Sequence, residues 1–224
     1  MQLENEIKSI VLSLGADVCG IANSREFTSS PAGFSPADIF PGFRSVIVFG
    51  IALLKGLSCV PSRLVYGHFN YFLCHDTDEI ALKAAKLSEE RFSCTAVPLP
   101  SDSPYEYWDK ASLSGRGLIS MKHAAVLAGL GELGKNTLLL NPKYGNRLVL
   151  GAFLTDLDLV SDPLVHGLCI AGCRRCIDAC PAHAILNGSV DQKLCRENTY
   201  HKTKKGFDTV DCNRCRQVCP SRFL

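Results

Sequence analysis

No apolar run in the 224-residue chain approaches the ~18 residues that a membrane-spanning helix needs; the longest, Ser45–Leu54, has ten. No membrane association is expected. The opening MQLENEIKSI places acidic residues early and lacks an apolar stretch, which predicts no secretory signal. Neither sign of charge dominates: 24 Lys and Arg face 22 Asp and Glu, so the net +2 makes no general case for nucleic-acid binding. With 46% hydrophobic and 21% charged residues, disordered and fibrous classes are excluded as well. The length admits one large domain, or a medium one followed by a small one.

Cysteine is what the chain does have. Of twelve, four are scattered at 19, 59, 74 and 94, and eight crowd the last 56 residues. Without a secretory signal a disulfide scaffold is disfavoured. In a reducing cytoplasm, where this chain is expected to reside, clustered cysteines hold metal. The scattered four have no paired spacing and read as buried, inert thiols.

Leu3, Ile7, Ile10, Val11 and Leu14 share one helical face, and Gly15 ends the helix. Ala16–Ala22 reads as a short buried strand and residues 23–43 as an irregular connection. Ser45–Ile51 is apolar, β-branched and bounded by turn residues, which predicts a central strand. Residues 70–91 are helical by pattern, Cys94–Leu99 is a strand, and residues 100–117 are a loop. Ile119–Ala128 is an Ala-rich buried helix, a turn follows at Gly129–Gly134, and Arg147–Leu154 is a strand. Residues 1–165 are therefore expected to form an α/β or α+β core. From 166 the apolar runs stop: residues 169–224 hold ten Lys and Arg against five Asp and Glu. So small a tail, 166–224, needs something other than hydrophobic burial to fold it.

Two segments of that tail align at a period of 39: Cys173-Arg-Arg-Cys176-Ile-Asp-Ala-Cys180-Pro181 and Cys212-Asn-Arg-Cys215-Arg-Gln-Val-Cys219-Pro220. Both are C-x2-C-x3-C-P, a duplicated unit. One upstream cysteine completes each, Cys169 and Cys195. In two-cluster ferredoxins the cysteine before the proline reaches the other cluster. Transferred here, one [4Fe–4S] cluster takes Cys169, Cys173, Cys176 and Cys219, and a second takes Cys180, Cys195, Cys212 and Cys215. Metal binding then supplies folding free energy. The alternative is two four-thiolate zinc sites, which the doubled C-x3-C-P ending disfavours. Arg174, Arg175, Arg214 and Arg216 would partly offset the negative clusters, or form an ordinary solvated face.

Residues 129–137, Gly-Leu-Gly-Glu-Leu-Gly-Lys-Asn-Thr, match two phosphate-binding patterns by eye. A dinucleotide fingerprint must follow a strand and open a helix; this one follows a helical segment. A P-loop needs a hydroxyl where Asn136 stands. What stays open is a plain structural turn, or one whose backbone approaches a flat or anionic cofactor closely.

The order Gly15-Ala-Asp-Val-Cys-Gly-Ile-Ala22, SVIVFGI, His123-Ala-Ala-Val-Leu-Ala-Gly-Leu-Gly131, Gly134-Lys-Asn-Thr-Leu138, Gly151-Ala-Phe-Leu-Thr-Asp156, then eight cysteines, resembles the epoxyqueuosine reductase family. More distantly it resembles the reductive dehalogenases. The resemblance implies a flavin-reductase-like α/β (α+β) core that binds cobalamin, with a ferredoxin-like two-cluster module feeding it electrons. Gly129, Leu130, Gly131, Gly134, Lys135, Asn136 and Thr137 would line the corrinoid site. A ferredoxin or flavodoxin would be the electron donor. The family's general acid, in an Asp-Ser-x-Pro stretch, falls here on Gly115; a similar Asp102-Ser103-Pro104 lies upstream. The family's helical-repeat extension after the cysteines is not seen, so tRNA is not expected as substrate, which leaves a small or unknown one. Two alternatives to the cobalamin reductase are an electron carrier without catalysis and a flavin-binding reductase.

Overall fold

A computed structural model describes residues 2–60, 63–202, 204–210 and 212–223. The chain opens with helix α1 (Gln2–Ser13), strand β1 (Val18–Asn23), one-turn helix α2 (Pro36–Ile39) and strand β2 (Ser45–Ala52). The long helix α3 (Arg63–Phe92) leads to β3 (Ala96–Leu99) and the small strands β4 (Tyr107–Asp109) and β5 (Ser114–Arg116). Helix α4 (Met121–Leu127), short strands β6 (Glu132–Leu133) and β7 (Leu139–Leu140), and β8 (Leu148–Thr155) complete the first 165 residues. The tail carries α5 (Arg175–Asp178), α6 (Gln192–Thr199), β9 (Tyr200–Lys202), β10 (Asp208–Val210) and α7 (Arg214–Gln217).

The main sheet has the order β1-β2-β8-β3, and every neighbour in it is antiparallel. The architecture is therefore α+β rather than the parallel α/β alternative. β2 reads as an unbroken apolar run because both its faces are covered. Val46 and Val48 pack towards α4, with Ala124, Ala125 and Ala128. Ile47 and Phe49 pack towards α1 and α3, with Ile7, Val11, Ile80, Ala81 and Ala84. Pro98, which cannot donate to a ladder, sits in β3 at the sheet's edge.

Three expectations need correction. The helix expected over 70–91 starts earlier, at Arg63. The expected loop 100–117 holds the β4–β5 hairpin, with Trp108 opposite Gly115. Inside the expected 129–134 turn, β6 begins a second small hairpin, pairing Glu132 with Leu140. No described helix is long and apolar enough to cross a membrane.

Candidate metal centres

The two aligned cysteine segments repeat their local structure bond for bond. The N–H of Asp178 donates to Arg174 O at 2.9 Å, and that of Gln217 to Asn213 O at 3.0 Å. Ala179 to Arg175 and Val218 to Arg214 are both 3.1 Å. Each segment is thus a single helical turn, α5 and α7, and the two turns pack together. The period of 39 in sequence becomes two like turns set side by side.

This packing sorts the eight cysteines into two sets. Cys169, Cys173, Cys176 and Cys219 line one small cavity. Burial raises the Cys176 and Cys219 thiols, and the nearby thiols of the same set add to it. In the second set burial pushes Cys215 up to about 11, and Cys212, Cys195 and Cys180 act on it in the same direction. Cys195 is likewise raised by burial and then by Cys212 and Cys180. Cys180 and Cys219, the cysteines before the prolines, each lie with the other segment's set. Backbone N–H groups also reach sulfur: that of Ala184 lies 3.4 Å from Cys180 Sγ. Among the described residues no three His, Cys, Asp or Glu side chains are drawn in tightly enough to hold a single ion.

The glycine turn meets this tail directly. Gly134, Lys135 and Asn136 line the first set's cavity. Lys135 Nζ donates to the carbonyls of Cys173 (2.8 Å) and Ile170 (3.3 Å). Asn136 Nδ2 donates to Cys215 O at 3.4 Å, and Glu132 accepts the N–H groups of Gly167 (2.9 Å) and Cys169. Leu130 is buried in the core, and Thr137 Oγ1 accepts from Lys122. A Cβ on Gly129 would lie 2.5 Å from Pro163 O, and one on Gly131 only 1.9 Å from Leu140 O. The glycines there are required by the chain's own backbone. Of these seven positions Gly134, Lys135 and Asn136 meet the tail, while Gly129, Leu130, Gly131 and Thr137 meet residues of the first 165. The turn follows a helix and precedes a strand, so neither phosphate-binding pattern has its context.

At Gly115 a Cβ would lie 3.1 Å from each of Arg196 Nη2, Trp108 and Tyr105. Arg196, on α6, stacks over Tyr105 and Trp108 and donates to Leu113 O and Gln192. A side chain at position 115, where the family's acid is expected, would press on the Arg196 guanidinium. Burial raises the Asp102 carboxyl; the Arg196 charge opposes this and Asp78 adds to it. Burial pushes Cys19 up to about 12 and Cys74 to about 11, as expected of inert thiols. Cys59 departs from that expectation, because it is exposed.

Sequence reasoning missed Lys122, Arg196 and Glu132. Lys122 left a signal: it is the one Lys or Arg within the stretch 119–128 read as a buried helix.

No family model matches the chain. The epoxyqueuosine reductase of Bacillus cereus is 29% identical over 261 aligned residues, covering 98% of this chain and 64% of its own length. That of Listeria monocytogenes is 32% identical over 120 residues, 49% of this chain and 31% of the relative. This chain is homologous to the epoxyqueuosine reductases. It spans between about a third and two thirds of the length of these curated relatives. Among solved structures, an epoxyqueuosine reductase bound to an epoxyqueuosine-modified tRNA-Tyr stem loop superposes with a TM-score of 0.69 at 18% identity. It covers 99% of this chain and 65% of that one. A catabolic reductive dehalogenase gives 0.71 at 23% identity, over 97% and 32%. The mixed α+β fold is thus common to both groups. The tRNA-bound epoxyqueuosine reductase also overturns the expectation that tRNA is not a partner. That protein shares this fold over nearly the whole of this chain and holds a tRNA stem loop.

Proposed function

We propose that the chain is an iron–sulfur oxidoreductase. Its ferredoxin-like tail holds one [4Fe–4S] cluster on Cys169, Cys173, Cys176 and Cys219 and another on Cys180, Cys195, Cys212 and Cys215. The carrying observation is the sorting of eight thiols into two cross-braced sets. The fit is supported by the N–H groups near sulfur and by a buried guanidinium nitrogen, Arg216 Nη1, that makes no hydrogen bond among the described residues. The doubled C-x3-C-P ending suits two iron–sulfur clusters better than two separate zinc sites. When bound, the clusters supply one-electron transfer. The chain's own part is to hold the thiolates, keep water from the sulfurs and brace the tail on the core through Lys135, Asn136 and Glu132.

The acceptor in the flavin-reductase-like core is cobalamin in this proposal. One solved reductive dehalogenase of this fold is described as B12-dependent, and a modified tRNA stem loop is the first substrate to assay. One observation favours a second reading, an electron carrier without catalysis: Gly129 and Gly131 back onto the chain's own carbonyls. Anaerobic titration with cobalamin in the dark separates the two. Base-off binding shifts the visible band to shorter wavelength. No shift, and no retention on gel filtration at tens of micromolar, would leave the carrier.

A further inference from the structure

The two like turns of the tail build a surface that neither makes alone. Where α5 meets α7 lies a shallow groove lined by Arg175, Asp178, Ala179, Val218 and Arg222. Ala179 and Val218 are equivalent positions of the 39-residue repeat, and each immediately precedes the cysteine before a proline, Cys180 or Cys219. The groove thus touches the chain one residue away from a cysteine of each set.

Its charge is mostly of one sign. Arg175 and Arg214, again equivalent in the repeat, are both exposed, and neither has a hydrogen-bond or ion-pair partner among the described residues. Arg222 lines the groove while its Nη1 donates to Cys219 O at 3.3 Å. Asp178 is the one acid in the lining, and Arg174 pairs with it at 3.5 Å. Exposed arginines around small apolar side chains are the composition of a protein interface, where arginine is enriched.

An acidic protein is the occupant that fits. Opposite charge steers such a partner to the groove and raises its encounter rate by about 10–10³-fold at low salt. A nucleic-acid strand fits less well, since the lining holds no aromatic side chain on which a base could stack, and Asp178 would face the phosphates.

Resting on the two-cluster reading, we propose that the α5–α7 groove docks an acidic one-electron carrier protein and is where electrons enter the chain. The carrier loses one electron and a cluster gains one. No bond is made or broken and no proton moves.

The experiment is anaerobic stopped-flow mixing of the oxidised, cluster-loaded full chain with a fully reduced acidic flavodoxin, read as the flavodoxin semiquinone appears. Arg175→Glu combined with Arg214→Glu should slow this reaction at least about tenfold in ~20 mM salt, and the deficit should shrink in ~0.5 M salt. Arg175→Gln and Arg214→Gln should each slow it about threefold. Reduction by photoreduced deazariboflavin, which needs no docking surface, should keep its rate in every variant, with iron held at about eight per chain. Lys83→Glu with Lys86→Glu changes the net charge equally on an exposed face of α3, and should leave the flavodoxin rate within about twofold. The inference is overturned if the paired arginine reversal leaves the flavodoxin rate unchanged at low salt, or if the lysine pair slows it as much. It is overturned too if deazariboflavin reduces the unmodified protein and flavodoxin does not, or if all the arginine variants lose iron, which would assign these arginines to the folding of the tail. Lost affinity for a tRNA stem loop with the flavodoxin rate intact would make the groove an RNA contact instead. Unmodified protein with far fewer than about eight irons would overturn the two-cluster reading itself.

Discussion

Replacing Gly131 by alanine tests whether the central turn is a docking element built on close backbone approach. The new Cβ would lie 1.9 Å from Leu140 O and 2.8 Å from Leu140 C, where contacts under 3.0 Å do not occur. The carbonyl must withdraw by more than 1 Å, and it is backbone, not the end of a flexible side chain. Leu140 is 1% exposed and pairs with Glu132, so the shift spreads into the core and the β6–β7 hairpin. Overpacking of this kind costs about 1–3 kcal/mol, and rigid backbone places the value near the top. For a chain of this length that lowers Tm by roughly 5–10 °C. Because Leu140 and Gly134 line the first cysteine set's cavity, iron should also leave to a chelator several-fold faster. The assay is anaerobic thermal unfolding with a parallel chelation time course. Gly56→Ala is the control, since nothing lies within 4 Å of its Cβ position, and its Tm should hold or rise slightly. Equal stability of the two variants would refute the steric account. A stable Gly131→Ala that had lost cobalamin affinity alone would point to a cofactor at the turn instead.

Other outcomes follow from the same contacts. Lys135→Ala and Asn136→Ala each remove a hydrogen bond to a cysteine carbonyl, and should speed chelation of iron while leaving the far-UV spectrum intact. Asp162→Ala removes an acceptor shared by Lys8 Nζ (2.5 Å) and Ile21 N–H (2.9 Å), and should cost about 1–3 kcal/mol in denaturant unfolding. Burial holds the Cys19 thiol at about 12, above its ordinary value near 9. Above pH 9 the unfolded chain alone loses that proton. Stability from this group is therefore complete below pH 9 and falls as pH rises towards 12; Cys19→Ser should flatten that part of the pH–stability curve.

Much of the main sheet was legible because its signals are local. β2 is a covered apolar run, α4 is Ala-rich where it meets that run, and Gly15, with φ +112, stops α1. The β4–β5 hairpin was not legible. Its strands, Tyr107–Asp109 and Ser114–Arg116, are three residues each and held by Arg196 and Gln192 from eighty positions away. The repeat at a period of 39 made the two like turns, α5 and α7, legible. The turn at 129–137 left two readings open for a physical reason. Glycine marks close approach without saying what approaches, and here it is Pro163, Leu140 and the cysteine loops.

The central claim is that the eight tail cysteines hold two iron–sulfur clusters. Iron, acid-labile sulfide and zinc should be measured per chain on anaerobically purified full-length protein, beside Cys215→Ala. The account predicts about eight irons and eight sulfides with a broad visible shoulder, and a loss of about four of each in the variant. Stoichiometric zinc without sulfide would contradict it.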